Sequence, residues 1–370
     1  MLNDKNHDRP ANSPKNELRR GWTTGACAAA GAGAAYHALV SGNFASKATI
    51  HLPGGQTPIF DLSTTELGND YAIAGIIKDA GDDPDVTHGL EIITMVSRGP
   101  LGSGICFAAG DGVGTVTLPG LPLNVGEPAI NPGPRAMIIQ AITNGKKDIP
   151  DVVVTISVPG GKKIAEKTMN GRLGIKGGIS ILGTSGIVIP YSCSSWIHAI
   201  RQGIDVANEL GIDHLLAATG RTSENAANDI LQLPEQALID MGDFAGGMLK
   251  YLATKQIKRI TIAGGFGKIS KLAQGEMDLH SSRSSVDTIR LGDILKQLGA
   301  DKKIIAAANA STTAAQVLHL ADSMAGQLAN VVAKQAREVV MATLPGGTEV
   351  EVWIFDRNKN HLATSKEVQK

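Results

Sequence analysis

The first structural feature along the chain is a run of small apolar residues. Residues 26–40 are rich in alanine, and either Thr23 or Thr24 can serve as an N-cap before the run. Ser41 and Gly42 follow in the place where a helix usually ends. The pattern therefore predicts a helix of small side chains, which another element can approach closely.

After this helix, short β-like segments alternate with turn signals. Because no helical pattern separates the early segments, we expect a largely antiparallel or mixed sheet. The Pro- and Gly-rich stretch 120–134 predicts an ordered loop, and residues 134–143 predict a helix with Pro at its first position. The predicted strands cover residues 48–52, 57–62, 71–78, 91–97, 105–109, 114–118, 151–158 and 162–168.

The pattern changes in the second half of the chain, where helical stretches alternate with short apolar strands. This alternation is typical of a parallel sheet, so we predict a Rossmann-like α/β domain over residues 171–370. It follows a predicted α+β domain with a mixed or antiparallel sheet over residues 19–170 and a disordered tail over residues 1–18. Strands are predicted at 214–219, 237–241, 259–263, 303–308 and 349–356, and helices at 192–210, 223–231, 244–255, 286–298, 311–320 and 327–343.

Charge and composition exclude several classes of protein. Lys plus Arg and Asp plus Glu both number 35, so no net field attracts nucleic acid or an anionic membrane. No apolar run has the length of a membrane span, and the first eighteen residues lack the apolar centre of a signal peptide. Cys27, Cys106 and Cys193 form no CxxC pair, which argues against disulfides and structural zinc. We therefore expect a cytoplasmic protein without nucleic-acid or membrane partners, and a homo-oligomer stays open as an alternative to a monomer.

Three glycine-containing turns follow predicted strands of the second domain. The carboxyl ends of parallel strands lie at one edge of a sheet, which is where ligands bind. Backbone N–H groups at such turns and at helix N-termini suit an anionic group. Any one turn can equally be a tight connection, but three at one edge favour a ligand site. Its candidate residues are Gly220, Arg221, Thr222, Asp243, Gly264, Gly265, Gly267 and Lys268.

Known glycine-rich fingerprints do not describe these turns. Ser270 stands where the dinucleotide pattern needs its third glycine, and Lys268 is followed by Ile269 instead of the Ser or Thr of a P-loop. Residues 110–114 read G-x-G-x-G, as in ordinary methyltransferases that use S-adenosylmethionine. A strand pattern follows them instead of a helix, so we interpret them as a hairpin turn.

Two other stretches have residues that could take part in binding or catalysis, and each also has a simpler structural interpretation. Thr23, Thr24 and Gly25 have hydroxyls and backbone donors for an anionic group, although an N-cap explains the same residues. His280 lies in a polar stretch where an imidazole can exchange a proton, although a solvated loop histidine explains it equally. Cys27 is assigned no chemistry, because a small core residue accounts for it. The nine histidines show no H-x-x-x-H spacing, so we expect no protein-bound metal.

Several longer stretches follow one another in a distinctive order. Residues 21–30 read G-W-T-T-G-A-C-A-A-A, and residues 119–122 and 125–132 form a Pro-rich loop. Residues 178–188, the Met-Gly-Asp-Phe run from Met241 and the Gly-Lys-Ile-Ser-Lys-Leu-Ala run from Gly267 complete the series. Together these stretches resemble the CbiD family of cobalamin biosynthesis.

The resemblance implies methyl transfer from S-adenosyl-L-methionine, as co-substrate, to C-1 of a corrinoid intermediate, converting cobalt-precorrin-5B into cobalt-precorrin-6A. It gives the Pro-rich loop a reason to be ordered and adds Glu127 and Asn131 to the candidate binding residues. His280 is the candidate catalytic residue. Because the substrate is a tetrapyrrole with several carboxylates, basic side chains are candidates for its recognition, namely Arg135, Arg172, Lys176, Arg221 and Lys268.

Two other functions stay open at this point. A non-catalytic tetrapyrrole-binding protein that shelters or hands over a labile intermediate fits the lack of an obvious acid–base pair. A phosphoryl-transfer enzyme could use the Gly-rich turns, although the P-loop pattern is missing.

Overall fold

The computed structural model of this chain describes residues 18–145 and 148–365. It contains two compact units, the first ending at Cys193 and the second beginning at Ser194. The predicted tail of residues 1–18 lies outside the described residues, apart from Leu18. Each unit has a buried core of its own.

The first unit mixes helices with short and long strands. Over the described residues, its largest sheet has five strands in the order β4-β5-β6-β9-β7, all antiparallel neighbours except the parallel pair β7 and β9. This confirms the prediction of a mixed sheet. In chain order the elements are β1 (Gly21–Trp22), α1 (Thr24–Ser41), β2 (Lys47–Thr49), β3 (Ile59–Asp61), β4 (Thr64–Leu67), β5 (Tyr71–Ile77), β6 (Glu91–Arg98), β7 (Ile105–Ala109), β8 (Thr115–Val116), α2 (Pro132–Thr143), β9 (Val152–Ser157), α3 (Gly161–Ala165), β10 (Ile175–Lys176) and β11 (Ile187–Val188).

Helix α1 lies at the centre of this unit and packs against α2, β5 and β6. Its N-cap is Thr23, whose side chain accepts a hydrogen bond from the Ala26 amide, and its C-cap is Gly42 in the left-handed conformation. A Cβ atom at Gly31 would lie 3.0 Å from Thr94 Oγ1, closer than side-chain carbons normally come. The predicted helix and its caps are confirmed, and its small side chains allow the sheet to approach.

Residues 171–193 pack with the first unit, whereas the sequence analysis assigned them to the second domain. Ile175 and Lys176 pair with Thr115 and Val116, so β10 adds to β8. Strand β11 pairs with β1 near the start of the unit. These pairings join residues far apart in the chain, and local periodicity carries no signal for them.

Two local predictions for the first unit are wrong. The strand predicted at 162–168 is helix α3, which follows Gly160 in the left-handed conformation. The predicted hairpin turn at 110–114 connects strands that do not pair with each other, because β7 pairs with β9 and β8 pairs with β10. Both errors come from assuming that neighbouring β-like segments pair locally.

The second unit is built on a sheet with the order β13-β12-β14-β15-β16. Neighbouring strands from β13 to β15 are parallel, and β16 adds antiparallel to β15. The alternation of helices and parallel strands is the predicted α/β pattern. Its elements over the described residues are α4 (Cys193–Glu209), β12 (His214–Ala218), α5 (Arg221–Leu231), β13 (Leu238–Asp240), α6 (Ala245–Leu252), β14 (Arg259–Gly265), α7 (Phe266–Ala273), α8 (Thr288–Gln297), α9 (Lys302–Asn309), α10 (Ala314–Leu320), α11 (Ala325–Thr343), β15 (Glu349–Phe355) and β16 (His361–Thr364), with short 3-10 helices at Glu235–Ala237 and Asp322–Met324.

The strand predicted at 303–308 is wrong, because these residues belong to helix α9. A short apolar run fits a buried strand and a helix segment equally well by periodicity. Its alanines favour a helix, and Asp301 stands at the N-cap position. Among the helices of the described chain, none is long and apolar enough to cross a membrane.

A buried ion pair secures the segment between β5 and β6. The side chain of Lys78 is 1% exposed, and its ammonium contacts Asp85 and donates to Thr87 Oγ1 over 2.6 Å. Burial alone would raise the pKa of Asp85, but the Lys78 charge and hydrogen bonds from Lys78 and Thr87 lower it below its usual value. The pair keeps a buried positive charge compensated.

We expect Asp85→Ala to lower the free energy of unfolding of the first unit by about 3 to 5 kcal/mol at neutral pH, because Lys78 would stay buried without its counter-ion. Since the native pKa of Asp85 is lowered, its contribution is present above the unfolded pKa and is lost as the pH falls through the native value. The difference between the two proteins should therefore shrink in acid. The free energy of unfolding is measured in urea from the amide exchange of strand β5, Tyr71–Ile77, which reports on the first unit.

Asp61→Ala is the matched control, because Asp61 pairs with Lys47 on the surface and its side chain is 83% exposed. Equal losses in the two variants at neutral pH would contradict a special role for the buried pair.

Candidate functional site

The neighbouring strands β12 and β14 of the second unit's sheet are followed by helices on opposite faces. Helix α5, which follows β12, packs on one face of the sheet through Ala226 and Ala227. Helix α7, which follows β14, packs on the other face through Ile269 and Leu272. Where neighbouring strands send their helices to opposite faces, a crevice opens at the strand ends and is the usual ligand position in open α/β sheets.

Lys268 joins the ends of three strand–helix connections at this edge. It lies in the first turn of α7, and its Nζ donates to the carbonyl oxygen of Thr219, directly after β12, over 2.9 Å. The same Nζ lies 2.9 Å from Oδ1 of Asp243, in the turn after β13. Two of the predicted site residues, Lys268 and Asp243, are thus brought into contact.

Asp243 has a buried acceptor that the protein does not use fully. Its Oδ1 atom is buried, and its contact with Lys268 Nζ is an ion pair without hydrogen-bond alignment. Within the described residues, this oxygen accepts no hydrogen bond. A ligand cannot reach this buried atom, but the Asp243 side chain as a whole is 21% exposed and presents the rest of its carboxylate at the edge.

The glycines of the strand-end turns differ in what they do. A Cβ atom at Gly264 would lie 2.8 Å from Ile269 Cδ1 and 2.9 Å from Thr219 Oγ1, so close packing requires this glycine. A Cβ atom at Gly220 would meet nothing within 4 Å, and at Gly265 its nearest neighbour would be 4.0 Å away. Gly267 has comparable space, with Ala314 Cβ 3.9 Å away. Gly220, Gly265 and Gly267 therefore leave open surface at the strand ends.

Helix α5 presents its N-terminus at the same edge. Gly220 is its N-cap and has no side chain to satisfy the first backbone donors, although Ser223 Oγ donates to the Gly220 carbonyl over 2.9 Å. Arg221 and Thr222 form the exposed first turn. Free N–H groups and the helix dipole at such a turn suit an anionic group. The residues predicted around Gly220 therefore stand beside the Lys268 contact.

His280 follows the segment that is attached to this edge. The amide of the preceding residue, Leu279, donates to the Asp243 carbonyl over 2.8 Å. His280 itself is exposed, and its Nδ1 accepts from the Ser282 amide over 3.2 Å. In the neutral ring the proton is therefore on Nε2. Among the described contacts, none joins the imidazole to Lys268 or Asp243.

The donors of the Thr23-Thr24-Gly25 turn are used inside the first unit. Thr24 Oγ1 accepts from the Leu182 amide over 3.0 Å, and the Gly25 amide donates to the Leu182 carbonyl over 2.9 Å. The Thr23 amide donates to Gly186 O over 3.0 Å, and both threonines are buried. The geometry favours the N-cap interpretation and leaves these groups little capacity for an anion.

Glu127 and Arg135 hold the Pro-rich loop against α2, and Asn131 directly precedes that helix. Arg135 Nε donates to the Ile130 carbonyl over 2.8 Å, Nη1 lies 3.3 Å from Glu127 Oε1, and the guanidinium stacks on Phe107 at 5.2 Å. A hydrogen bond from the Asn124 amide and the Arg135 charge lower the pKa of Glu127. Asn131 is the N-cap of α2 by position, without a side-chain cap bond. These contacts explain why the loop is ordered.

Sequence reasoning missed two partners of the predicted residues. The Thr219 carbonyl binds Lys268, and its place at the end of the predicted strand 214–219 could have suggested it. Leu182 binds the turn before α1, but the two are 158 positions apart and no local pattern connects them. Over the described residues, no group of three or more His, Cys, Asp or Glu side chains could hold a metal ion. Lys176 lies exposed in β10.

Comparison with known proteins identifies the family. A sequence model of the CbiD family matches residues 11–190, and one of the CbiD C-terminal domain matches residues 278–366. The chain belongs to the CbiD family. The residues of the Lys268 contact lie between the two matched stretches, and His280 falls in the second.

Similar members of the family cover the whole chain. A curated cobalt-precorrin-5B C(1)-methyltransferase of Brucella anthropi is 51% identical over 366 residues, which is 98% of this chain and 100% of that protein. A protein of the same name from Brucella canis is 53% identical with the same coverage. A crystal structure of a cobalamin biosynthesis protein (cbiD) from Archaeoglobus fulgidus is 28% identical, covers 71% of this chain and 82% of that one, and has a TM-score of 0.38.

The cysteine in the opening stretch of this CbiD protein is a packing residue. Cys27 is fully buried in α1, and burial raises the pKa of its thiol to about 12 despite the nearby Lys78 charge. The thiol is therefore protonated and inaccessible at neutral pH. Cys106 and Cys193 are partly exposed.

We expect iodoacetamide at pH 8 to label Cys106 and Cys193 in the native protein well before Cys27, because alkylation needs an accessible thiolate. Peptide mass spectrometry after timed labelling measures the three rates, and labelling in urea shows that all three sites can react. Labelling of native Cys27 as fast as the other two would contradict its assignment to the core.

Proposed function

We propose that this chain transfers a methyl group from S-adenosyl-L-methionine to C-1 of cobalt-precorrin-5B, giving cobalt-precorrin-6A in corrin ring biosynthesis. The observation that carries the proposal is the 51–53% identity, over 98% of the chain, to curated proteins named cobalt-precorrin-5B C(1)-methyltransferase. The methyltransferase name requires a methyl donor. S-adenosyl-L-methionine supplies a methyl group attached to a positively charged sulfur.

The strand edge of the second unit fits such a donor. We propose that this unit is Rossmann-like and holds the donor at the crevice between β12 and β14. The Asp243 side chain is 21% exposed, and its carboxylate can accept a hydrogen bond from a ribose hydroxyl. The open surface at Gly220 and Gly265 leaves room for a ligand against the backbone. The first turn of α5 suits the carboxylate of an amino-acid group.

Lys268 has a positioning role in this proposal. It holds the Thr219 carbonyl and the Asp243 carboxylate in fixed places, so the acceptor is ready before a ligand arrives. Preorganisation of this kind reduces the cost of binding and sets the geometry in which two reactants meet. The reaction needs a side-chain acid or base less than it needs this positioning, because a sulfonium is already a strong electrophile.

His280 stays a candidate for proton exchange. Its Nδ1 is occupied by Ser282, so Nε2 is the nitrogen with which it could act. Its attachment to the Asp243 turn through Leu279 supports its inclusion in the site. The three cysteines of the described chain form no disulfide with one another, which fits the reducing cytoplasm that we propose as its location.

The proposed reaction is tested by incubating the purified full-length protein with cobalt-precorrin-5B and S-adenosyl-L-methionine. We expect one methyl group to be added to the corrinoid, detected as a gain of one CH₂ in mass, together with one equivalent of S-adenosylhomocysteine. Stoichiometric corrinoid binding without methylation or S-adenosylhomocysteine would instead indicate a tetrapyrrole-binding or handover protein.

We expect Lys268→Met to raise the Kd for S-adenosylhomocysteine by about tenfold or more, because the Asp243 carboxylate and the Thr219 carbonyl lose their shared partner. Titration calorimetry measures the Kd, and circular dichroism confirms that the variant is folded. Lys250→Met, at an exposed position in α6 of the same unit, is the matched control and should bind as the wild type does. Unchanged affinity in Lys268→Met would contradict the positioning role.

A further inference from the structure

An exposed tryptophan lies beside the strand-end turn that contains Asp243. Trp196 is in the first turn of α4, and its ring is 46% exposed. Its indole Nε1 donates to the Asp240 carbonyl at the end of β13 over 3.1 Å. A large aromatic ring fixed by its polar atom and left open to solvent differs from a core residue, because part of its apolar surface is not used in folding.

The neighbouring backbone is shaped to receive this ring. Gly242 has a φ of +53°, and a Cβ atom there would lie 3.4 Å from Trp196 Cζ2. Phe244 supports the ring from the same turn, with a centroid separation of 6.3 Å. The next residue of α4, Ile197, packs on α6, where a Cβ atom at Gly247 would lie 3.3 Å from its Cδ1. The ring is therefore held in place by several contacts.

A carboxylate lies directly after the glycine that the ring covers. Asp243 follows Gly242, and its side chain is 21% exposed. A nucleoside combines a flat base, which stacks on an aromatic ring, with a ribose diol that can donate to a carboxylate. Trp196 and Asp243 together therefore fit a nucleoside.

We propose that Trp196 is the stacking face for the adenine base of the methyl donor, with the ribose hydroxyls directed to Asp243. The inference rests on the proposed function and extends it by assigning a base-binding residue outside the glycine-rich turns. The indole–Asp240 hydrogen bond fixes the ring before the ligand arrives. Stacking of a base on an aromatic ring needs no base-specific hydrogen bonds, which fits a site without an adenine-reading motif.

The full-length protein is titrated with S-adenosylhomocysteine, and binding is measured by calorimetry and by tryptophan fluorescence. We expect Trp196→Ala to raise the Kd by about 5- to 50-fold, in keeping with the loss of one base–aromatic stack. Trp196→Phe should recover most of the affinity, since a flat ring remains. Ligand should quench the wild-type emission, and this quenching should be absent in Trp196→Phe, which keeps Trp22 and Trp353. Asp243→Asn should weaken binding without removing the quenching.

Ile289→Ala removes a similarly exposed apolar side chain in α8 and should bind as the wild type does. Wild-type affinity in Trp196→Ala, with full methylation, would overturn the inference and leave the proposed function intact. A rise in the KM for the corrinoid without a change in Kd for S-adenosylhomocysteine would also overturn it, because the ring would then contact the substrate. If the wild type does not bind S-adenosylhomocysteine, the proposed function fails and this inference fails with it.

Discussion

A single ammonium group joins three strand-end connections of the second unit. Lys268 Nζ contacts the carbonyl after β12 and the carboxylate after β13, and Lys268 itself lies in the first turn of the helix after β14. Three connections that are separate in sequence are thereby fixed relative to one another. In a parallel sheet these connections are the natural place for a ligand. One side chain thus gives a set of turns a defined shape.

The first unit uses similar residue types for a different purpose. The Thr-Thr-Gly turn before α1 has hydroxyls and backbone donors, but Leu182 and Gly186 occupy them. Arg135 is likewise committed to the carbonyl of Ile130 and to Glu127. Polar groups of this kind stabilise loops by satisfying buried backbone atoms. Residues that identify the family by sequence can therefore have structural roles.

The sequence predicted the features that depend on local chemistry. The preferences of individual residues left Thr23 and Thr24 as alternative N-caps of α1, of which the structure has Thr23, and they correctly placed Gly42 at the end of the helix. The alternation of strands and helices in the second half predicted a parallel sheet with glycine turns at one edge. Residues 303–308 were misassigned as a strand because a short alanine-rich run has the same apolar pattern as a buried strand.

Features that depend on distant pairings could not be predicted in this way. The pairing of β1 with β11 and of β8 with β10 decides that residues 171–193 pack with the first unit. The contact of Lys268 with Thr219 joins residues 49 positions apart, and no propensity or motif indicates which carbonyl a lysine will meet. The presence of Lys268 in the candidate site was predicted, but its partners required the fold.

We propose that the strand edge organised by Lys268 holds the methyl donor. Hydrogen–deuterium exchange of the full-length protein with and without S-adenosylhomocysteine tests this placement. We expect slower amide exchange at residues 219–223, 241–244 and 264–268 of the second unit, with little change around Thr23 and the Pro-rich loop. Protection confined to the first unit, with the strand-end turns unaffected, would contradict it.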